Sequence, residues 1–403
     1  MKCLVLAGGY DQIALIQELK KRNINVVLVD YFENPPAKMF ADKHYKASTL
    51  DITKVKEIAI LERVDIITTA CTDQALLTVA KVSEELKLPC YLSYQKALNV
   101  TNKSYMKEKM YENGISTAKH IVLNNIDKNE LNKFKFPLVV KPVDCNSSKG
   151  VKKVFNTSDL KKAIVEAREL SRTTTAIVEE FKDGIEISVD VYVENEKAKV
   201  LLLSESTKIK NSNGFTILQS IYPVNISEEI LTKIKSIAQK ISDVFEINNS
   251  PLLIQLITDG TEVNVIEFSA RMGGGTKYKL IEVLTGVNIM SAYVDRILGN
   301  TPHIECTNKV KYAHLNYCYC MSGIVSNLIN FNKMKDKGII QDYFQYKSSG
   351  MEIIKAETSS DRAAGYLLVG NSLEELKEKE YIANKELKIM SEDGRDIFIR
   401  DQI

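Results

Sequence analysis

Gln255, Glu267, Ser269 and Arg271 stand at alternating positions on two adjoining apolar runs, in the stretch PLLIQLITDGTEVNVIEFSARMGGG that begins at Pro251. An amide, a carboxylate, a hydroxyl and a fixed cation in one row suit magnesium and phosphate, because magnesium prefers oxygen ligands and Arg matches phosphate geometry. Asp259-Gly260 between two runs rich in Val, Ile and Leu is a turn signal, so the segment is expected to be a β-hairpin. A two-residue loop sends Gln255 and Glu267 to opposite faces. A three-residue loop, Asp259-Gly260-Thr261, sets Gln255 opposite Val265 and diagonal to Glu267, with Ser269 and Arg271 continuing on that face. The same alternation suits an ordinary amphipathic hairpin with a solvated polar face, so the hairpin alone does not choose.

The elements that must position it fill a long chain. At 403 residues the length implies two to three domains. Hydrophobic residues at 44%, charged residues at 26% and 54 basic against 52 acidic side chains describe an ordinary globular protein with no pull toward nucleic acid or membrane. The opening MKCLVLAGGYDQ has too short an apolar run for a signal peptide, no spanning helix is visible elsewhere, and the expectation is a cytoplasmic protein. Seven Cys, an odd number scattered through apolar runs, point to reduced thiols. Cys318 and Cys320 are expected in a strand; with only four His in the chain, none at ligand spacing, zinc is set aside.

Strand 2–6, the Gly8-Gly9 turn, helix 11–21 and strand 26–30 form a βαβ unit. Strand 65–70, helix 73–87 and strand 90–93 repeat it, so residues 1–100 are expected to be an α/β domain with a parallel sheet. A dinucleotide fingerprint fails there, since Gln12 stands near the place of the third Gly. Asp73, at a strand's carboxyl end, is a candidate substrate contact; Asp30 suits a turn or cap. Asn102 caps a helix over 104–113 that opens a second, α+β domain running to about residue 300. Residues 301–403 are expected to be a smaller α+β domain.

Three further pieces suit a nucleotide. Lys141 ends the run PLVVK just before the loop DCNSSKG, whose Asn146, Ser147, Ser148 and Lys149 can close over phosphates; taken alone, such a loop is more often a surface turn. The run AIVEEFKDGIEISVDV sets Glu179, Glu180 and Phe181 at a strand end and Glu186 at the start of the next strand, where backbone groups can read adenine and a Glu can accept from ribose hydroxyls. An ordinary hairpin with surface acids is the plain alternative.

Lys103 before a helix, PLVVKPVDCNSSKGV, AIVEEFKDGIE and IQLITDGTEVNVIEFSARMGGG follow the order and spacing of the ATP-grasp superfamily, and the chain resembles its carboxylate-amine ligases over nearly its full length. Residues 1–100 resemble the pre-ATP-grasp domain, and SSDRAAGYLLVG with the following helix resembles the C-terminal domain of the glycinamide ribonucleotide transformylase and L-amino-acid ligase branch. The resemblance implies the following roles. Lys103 and Lys141 contact ATP phosphates under a loop containing Ser147, Ser148 and Lys149. Glu179, Glu180, Phe181 and Lys182 are the adenine-binding hinge, and Glu186 is the ribose ligand. Glu267, with Gln255 and Ser269, holds magnesium or manganese. Lys141 and Arg271 neutralise charge at the transferred phosphate, and Gly274 lies in a close-approach turn near substrate. Gln255 stands where a second Glu is usual and Ser269 where Asn is usual, so one metal site is expected to be weaker.

The implied reaction joins a small-molecule carboxylate to an amine through an acyl phosphate, releasing ADP and phosphate. A bicarbonate-phosphorylating, carboxylase-like enzyme is one rival, and a nucleotide-binding protein without turnover, motivated by Gln255 and Ser269, is another. Specificity is expected from Asp73, from the polar segment 205–222 with Lys208 and Lys210, which suits a surface loop equally, and from residues after Arg271. The resemblance also implies a homodimer.

Overall fold

In the computed structural model, residues 1–123, 134–209, 215–307 and 310–400 are described. The N-terminal strands β1 (Lys2–Leu6), β2 (Asn25–Asp30), β3 (Lys43–Lys46) and β4 (Ile66–Thr68) form a parallel sheet in the order β3-β2-β1-β4. Both faces are covered, so every strand side chain needs an apolar home. Leu4 and Leu6 pack with Val55, Ile58 and Val79 of helices Ile52–Glu62 and Asp73–Leu86, while Cys3 and Val5 pack with Leu15 and Leu19 of helix Tyr10–Lys21. Asp30 is a turn cap, accepting from the Gly8 amide at 2.7 Å and the Phe32 amide at 2.8 Å. Gln12 occupies the crevice between strand ends, with its Oε1 3.0 Å from the Ala70 amide.

One N-terminal expectation is corrected. Residues 90–93 form no strand, and the fourth strand is instead the edge strand β3, whose residues KHYK are too polar to announce it. An edge strand tolerates that composition because only one side must pair.

Strands β5 (His120–Leu123), β6 (Leu138–Pro142), β7 (Lys152–Val154) and β8 (Ala176–Glu180) make an antiparallel sheet in the order β5-β8-β6-β7, backed by helix Thr157–Leu170. A larger antiparallel sheet follows: β9 (Ile185–Glu194), β10 (Lys197–Lys208), β11 (Ile217–Tyr222), β12 (Ser250–Thr258), β13 (Val263–Ser269), β14 (Tyr312–Cys318), β16 (Asp342–Gln345) and β18 (Ala364–Gly370). Its order is β13-β12-β9-β10-β11-β14-β18-β16, so one eight-stranded sheet crosses the expected boundary near residue 300. Beyond it β15 (Gly323–Ile329), β17 (Glu352–Ile353) and β19 (Lys388–Ser391) form a three-stranded sheet over a core that includes Cys318, Cys320 and Leu376. Cys318 lies in β14, whereas Cys320 lies just past it and makes a single bridge to Phe398.

Strand β9 shows how the large sheet is specified. Ile187, Val189, Val191 and Val193 alternate onto Ile230, Ile234 and Ile241 of helix Glu228–Val244. Each such buried side chain contributes about 1.5–3 kcal/mol. Glu186, Ser188 and Asp190 therefore share the other face. The same period decides between the two readings left open for residues 205–222: Glu205 to Lys208 continue β10 and Ile217 to Tyr222 form β11, so most of its described part is sheet. Lys210 lies outside the described residues. No helix among the described residues is long and apolar enough to cross a membrane.

Gly184 joins the two central sheets at φ +133°, and a Cβ there would lie 2.6 Å from the Thr258 carbonyl carbon. Gly184→Ala is expected to lower stability by about 1–3 kcal/mol, read from the denaturant midpoint, because backbone strain and backbone clash coincide.

Candidate active site

The hairpin β12–β13 forms, but not in the expected register. Its loop has four residues, Asp259 to Glu262, closed by the Asp259 carboxylate accepting from the Thr261 and Glu262 amides at 2.8 Å each. Thr258 pairs with Val263 and Leu256 with Val265; a bulge at Ile266 then shifts the ladder so that Gln255 pairs directly with Glu267. Without the extra residue, a four-residue loop would leave Gln255 and Glu267 on opposite faces. The bulge brings the two candidate metal ligands together.

These residues line a cleft between the four-stranded β5–β8 sheet and the eight-stranded sheet. Lys103, Lys141, Ser147, Ser148, Glu179, Glu180, Phe181, Lys182, Glu186, Lys208, Gln255 and Glu267 all line it. Helix Lys103–Glu112, capped by Asn102, carries Lys103 into the cleft, where its Nζ lies 3.1 Å from Glu267 Oε2 and donates to the Cys145 carbonyl at 2.7 Å. Lys141 Nζ lies 2.9 Å from Glu179 Oε1. Ser147 and Ser148 sit at φ 58° and 61°, and Ser148 Oγ donates to the Phe215 carbonyl at 3.2 Å, so the loop is folded against the β10–β11 side of the cleft. Lys149 is exposed and does not line it.

At the hinge, the Glu180 and Phe181 amides donate to the Lys119 and Pro137 carbonyls at 3.0 and 3.2 Å. Lys208 Nζ lies 2.8 Å from Glu186 Oε1, and Gln255 Nε2 is 3.5 Å from the same oxygen. At the far end of β13, Ser269 donates to Asp73, and Arg271 grips Asp73 in a bidentate pair with Nε 2.7 Å from Oδ1. Asp73, Ser269, Arg271 and Gly274 thus cluster beside the cleft rather than lining it. In the glycine turn the crowded positions are Gly273 and Gly275. A Cβ at Gly273 would be 2.6 Å from Asp190 Oδ1 and one at Gly275 would strike Arg362, whereas Gly274 has only ordinary neighbours at 3.6 Å or more.

Two residues escaped the sequence reading. Lys107, 1% exposed and one helical turn after Lys103, lies 3.1 Å from Glu179 Oε1 and donates to Thr117 Oγ at 2.5 Å. The i, i+4 spacing from Lys103 was its available signal. Asp11 accepts from the Gly275 and Thr276 amides at 3.0 and 2.9 Å, tying the glycine turn to the N-terminal domain.

Electrostatics hold the cleft in its charged form. Burial alone would raise the Glu179 carboxyl, but Lys107 and Lys141 outweigh it and hold the pKa at about 2. Burial pulls Lys107 down to about 8, offset in part by Glu179. Burial likewise opposes ionisation of Glu267, yet Lys103 and Lys141 keep it below the ordinary carboxylate value. Among the described residues no three His, Cys, Asp or Glu gather as a metal site. Glu267 and the Gln255 amide, paired across the hairpin, can supply two oxygen ligands to an ion that completes its shell with phosphate oxygens, the usual manner of magnesium binding.

Residues 134–279 match the family model of the ATP-grasp domain. The chain carries an ATP-grasp domain. It is 27% identical over 282 residues to the formate-dependent phosphoribosylglycinamide formyltransferase of Methanocaldococcus jannaschii, a stretch covering 67% of this chain and 70% of that protein. Among solved structures, the L-amino acid ligase from Bacillus licheniformis matches with a TM-score of 0.80 at 22% identity, covering 97% of this chain and 98% of that one. The biotin carboxylase domain of the Hydrogenobacter thermophilus 2-oxoglutarate carboxylase, solved with MgADP, ADP and bicarbonate, matches with a TM-score of 0.79 at 16% identity, covering 96% and 90%. These likenesses establish the ATP-grasp fold, mixed α/β as expected.

Within this ATP-grasp cleft Glu179 is the shared counterion of two buried lysines, so Glu179→Gln is expected to cost about 3–5 kcal/mol in denaturant unfolding. The sign with pH follows from the lowered carboxyl: as pH falls, the unfolded chain takes up the proton first. The stabilisation is complete above about pH 4.5 and lost toward about pH 2. The substituted protein should lose less stability than the wild type across that window.

Proposed function

We propose that the chain is an ATP-dependent carboxylate-amine ligase acting on small molecules. The observation that supports it most is the convergence of Lys103, Lys141, Glu186, Gln255 and Glu267 on one cleft, with Arg271 at its end. Lys103 and Lys141 bind the ATP phosphates, the loop carrying Ser147, Ser148 and Lys149 covers them and excludes water, Glu180 to Lys182 border the base, and Glu186 takes the ribose hydroxyls. Glu267 and Gln255, with Ser269 nearby, hold magnesium or manganese together with the nucleotide. When bound, that ion neutralises phosphate charge.

In this reading a substrate carboxylate oxygen attacks the γ-phosphorus and ADP leaves. The amine nitrogen then attacks the acyl carbon and phosphate leaves. Lys141 and Arg271 stabilise charge at the transfer, and Asp73 keeps the Arg271 guanidinium in place. The likeness to a carboxylase domain solved with bicarbonate motivates the second enzymatic reading, and ADP release stimulated by bicarbonate alone would select it. The neutral Gln255 motivates a third, binding without turnover.

Glu267→Gln is expected to lower acid- and amine-stimulated ADP release by about 10²-fold or more, the scale on which lost charge stabilisation acts; full activity in that variant would sink the proposal. Gln255→Glu adds a charged ligand opposite Glu267 and is expected to lower the magnesium concentration that half-saturates turnover, measured by metal titration.

A further inference from the structure

Glu186, the ribose ligand of the ligase reading, already has a partner. On β9 and β10 Ser188 pairs with Ser204, so the cleft-facing positions run Glu186 and Ser188 on one strand and Ser204, Ser206 and Lys208 on the other, with Lys208 diagonal to Glu186. Lys208 Nζ lies 2.8 Å from Glu186 Oε1. The pair is largely withdrawn from solvent, with 26% of the Lys208 side chain and 14% of the Glu186 side chain exposed, and among the described residues neither forms another ion pair.

Lys208 also donates to the Phe215 carbonyl at 3.1 Å, and Ser148 Oγ donates to that same oxygen at 3.2 Å. One carbonyl thus sets the ammonium between the ribose carboxylate and the loop that covers phosphates in the ligase reading. All four residues line the cleft.

A ligand whose hydroxyls take Glu186 must compete with this ammonium. Neutral hydroxyls replace a charge-assisted contact, which is roughly twice as strong as a neutral hydrogen bond. The released ammonium is then left without a counterion, and an unpaired charge away from water costs more than the pair contributes. A ribose that carries phosphates brings the missing anion with it. The pair therefore penalises a nucleoside and spares a nucleotide, which is discrimination by an unpaired charge set against the wrong ligand.

We propose that Lys208 is a specificity-determining residue that makes phosphate a condition of ribose recognition: it blocks Glu186 against nucleosides and leaves it for the phosphates when a nucleotide binds. The proposal rests on the nucleotide site of the ligase reading. Lys103 and Lys141 do not serve this purpose, since their partners are Glu267 and Glu179 rather than Glu186.

The test is calorimetric titration of the full chain with adenosine, 2′,3′-dideoxyadenosine and Mg·ADP, before and after Lys208→Met. The substitution is expected to strengthen adenosine binding about tenfold or more and to weaken Mg·ADP binding by a similar factor, the scale of one hydrogen bond to a charged group. Dideoxyadenosine, which has no hydroxyls for Glu186, should gain nothing. Lys208→Gln keeps a donor for the Phe215 carbonyl, is expected to show the same opposed changes, and stands in if the Met variant fails to fold. A merely structural lysine would weaken both ligands, and a simple phosphate contact would weaken Mg·ADP while adenosine stayed unchanged or below detection; either result overturns the proposal, as does an equal gain by dideoxyadenosine. Failure of Mg·ADP to bind the unsubstituted chain would overturn the ligase reading beneath it.

Discussion

The cleft depends on one carboxylate shared between two buried ammonium groups. Glu179 sits between Lys107 and Lys141 at 3.1 and 2.9 Å, and without it two cations would be desolvated side by side. That arrangement would drive at least one of them to lose its proton, since burial already pulls Lys107 down to about 8. Elsewhere in the cleft Glu267 pairs with Lys103 at 3.1 Å. An anion entering between them therefore meets positive charge already fixed in position, and little reorganisation is needed to receive it.

Sequence patterning carried much of this. The parallel N-terminal sheet, the strand ending in Lys141 and the hairpin were all legible from period-two apolar runs and their turns. What patterning could not reveal was register, because a bulge is a single extra residue with no signature in the run NVIEF. Polar strand residues were the other blind spot. The run ESTK suits a surface loop as well as a strand because its side chains are hydrophilic, but it continues β10, and its Lys208 lines the cleft. Lys107 was passed over as one more lysine on a charged helix, and Asp11 as an ordinary acid in the first turn of a helix.

Ser269 and Arg271 were expected on the metal face by simple extension of the strand. They are instead engaged with Asp73 of the N-terminal domain, so the hairpin's end is anchored by a residue 196 positions away in sequence from Ser269. Asp11 ties the adjoining glycine turn to the same domain. Two acids from the N-terminal domain thereby fix the geometry at the end of β13, beside the cleft.

The eight-stranded sheet has a consequence for how this architecture can be divided. Its strands β14, β18 and β16 lie outside the 134–279 segment that matches the family model, yet β14 pairs with β11 through Tyr222 and Ala313, and Tyr317 of β14 supports Arg362. A unit cut at the family boundary would leave β11 as a bare edge, with its amides and carbonyls open to any extended chain. The portable module in this fold is accordingly the continuous sheet from β9 to β18 with its helices, and recombination between relatives would have to exchange the C-terminal strands and the cleft together.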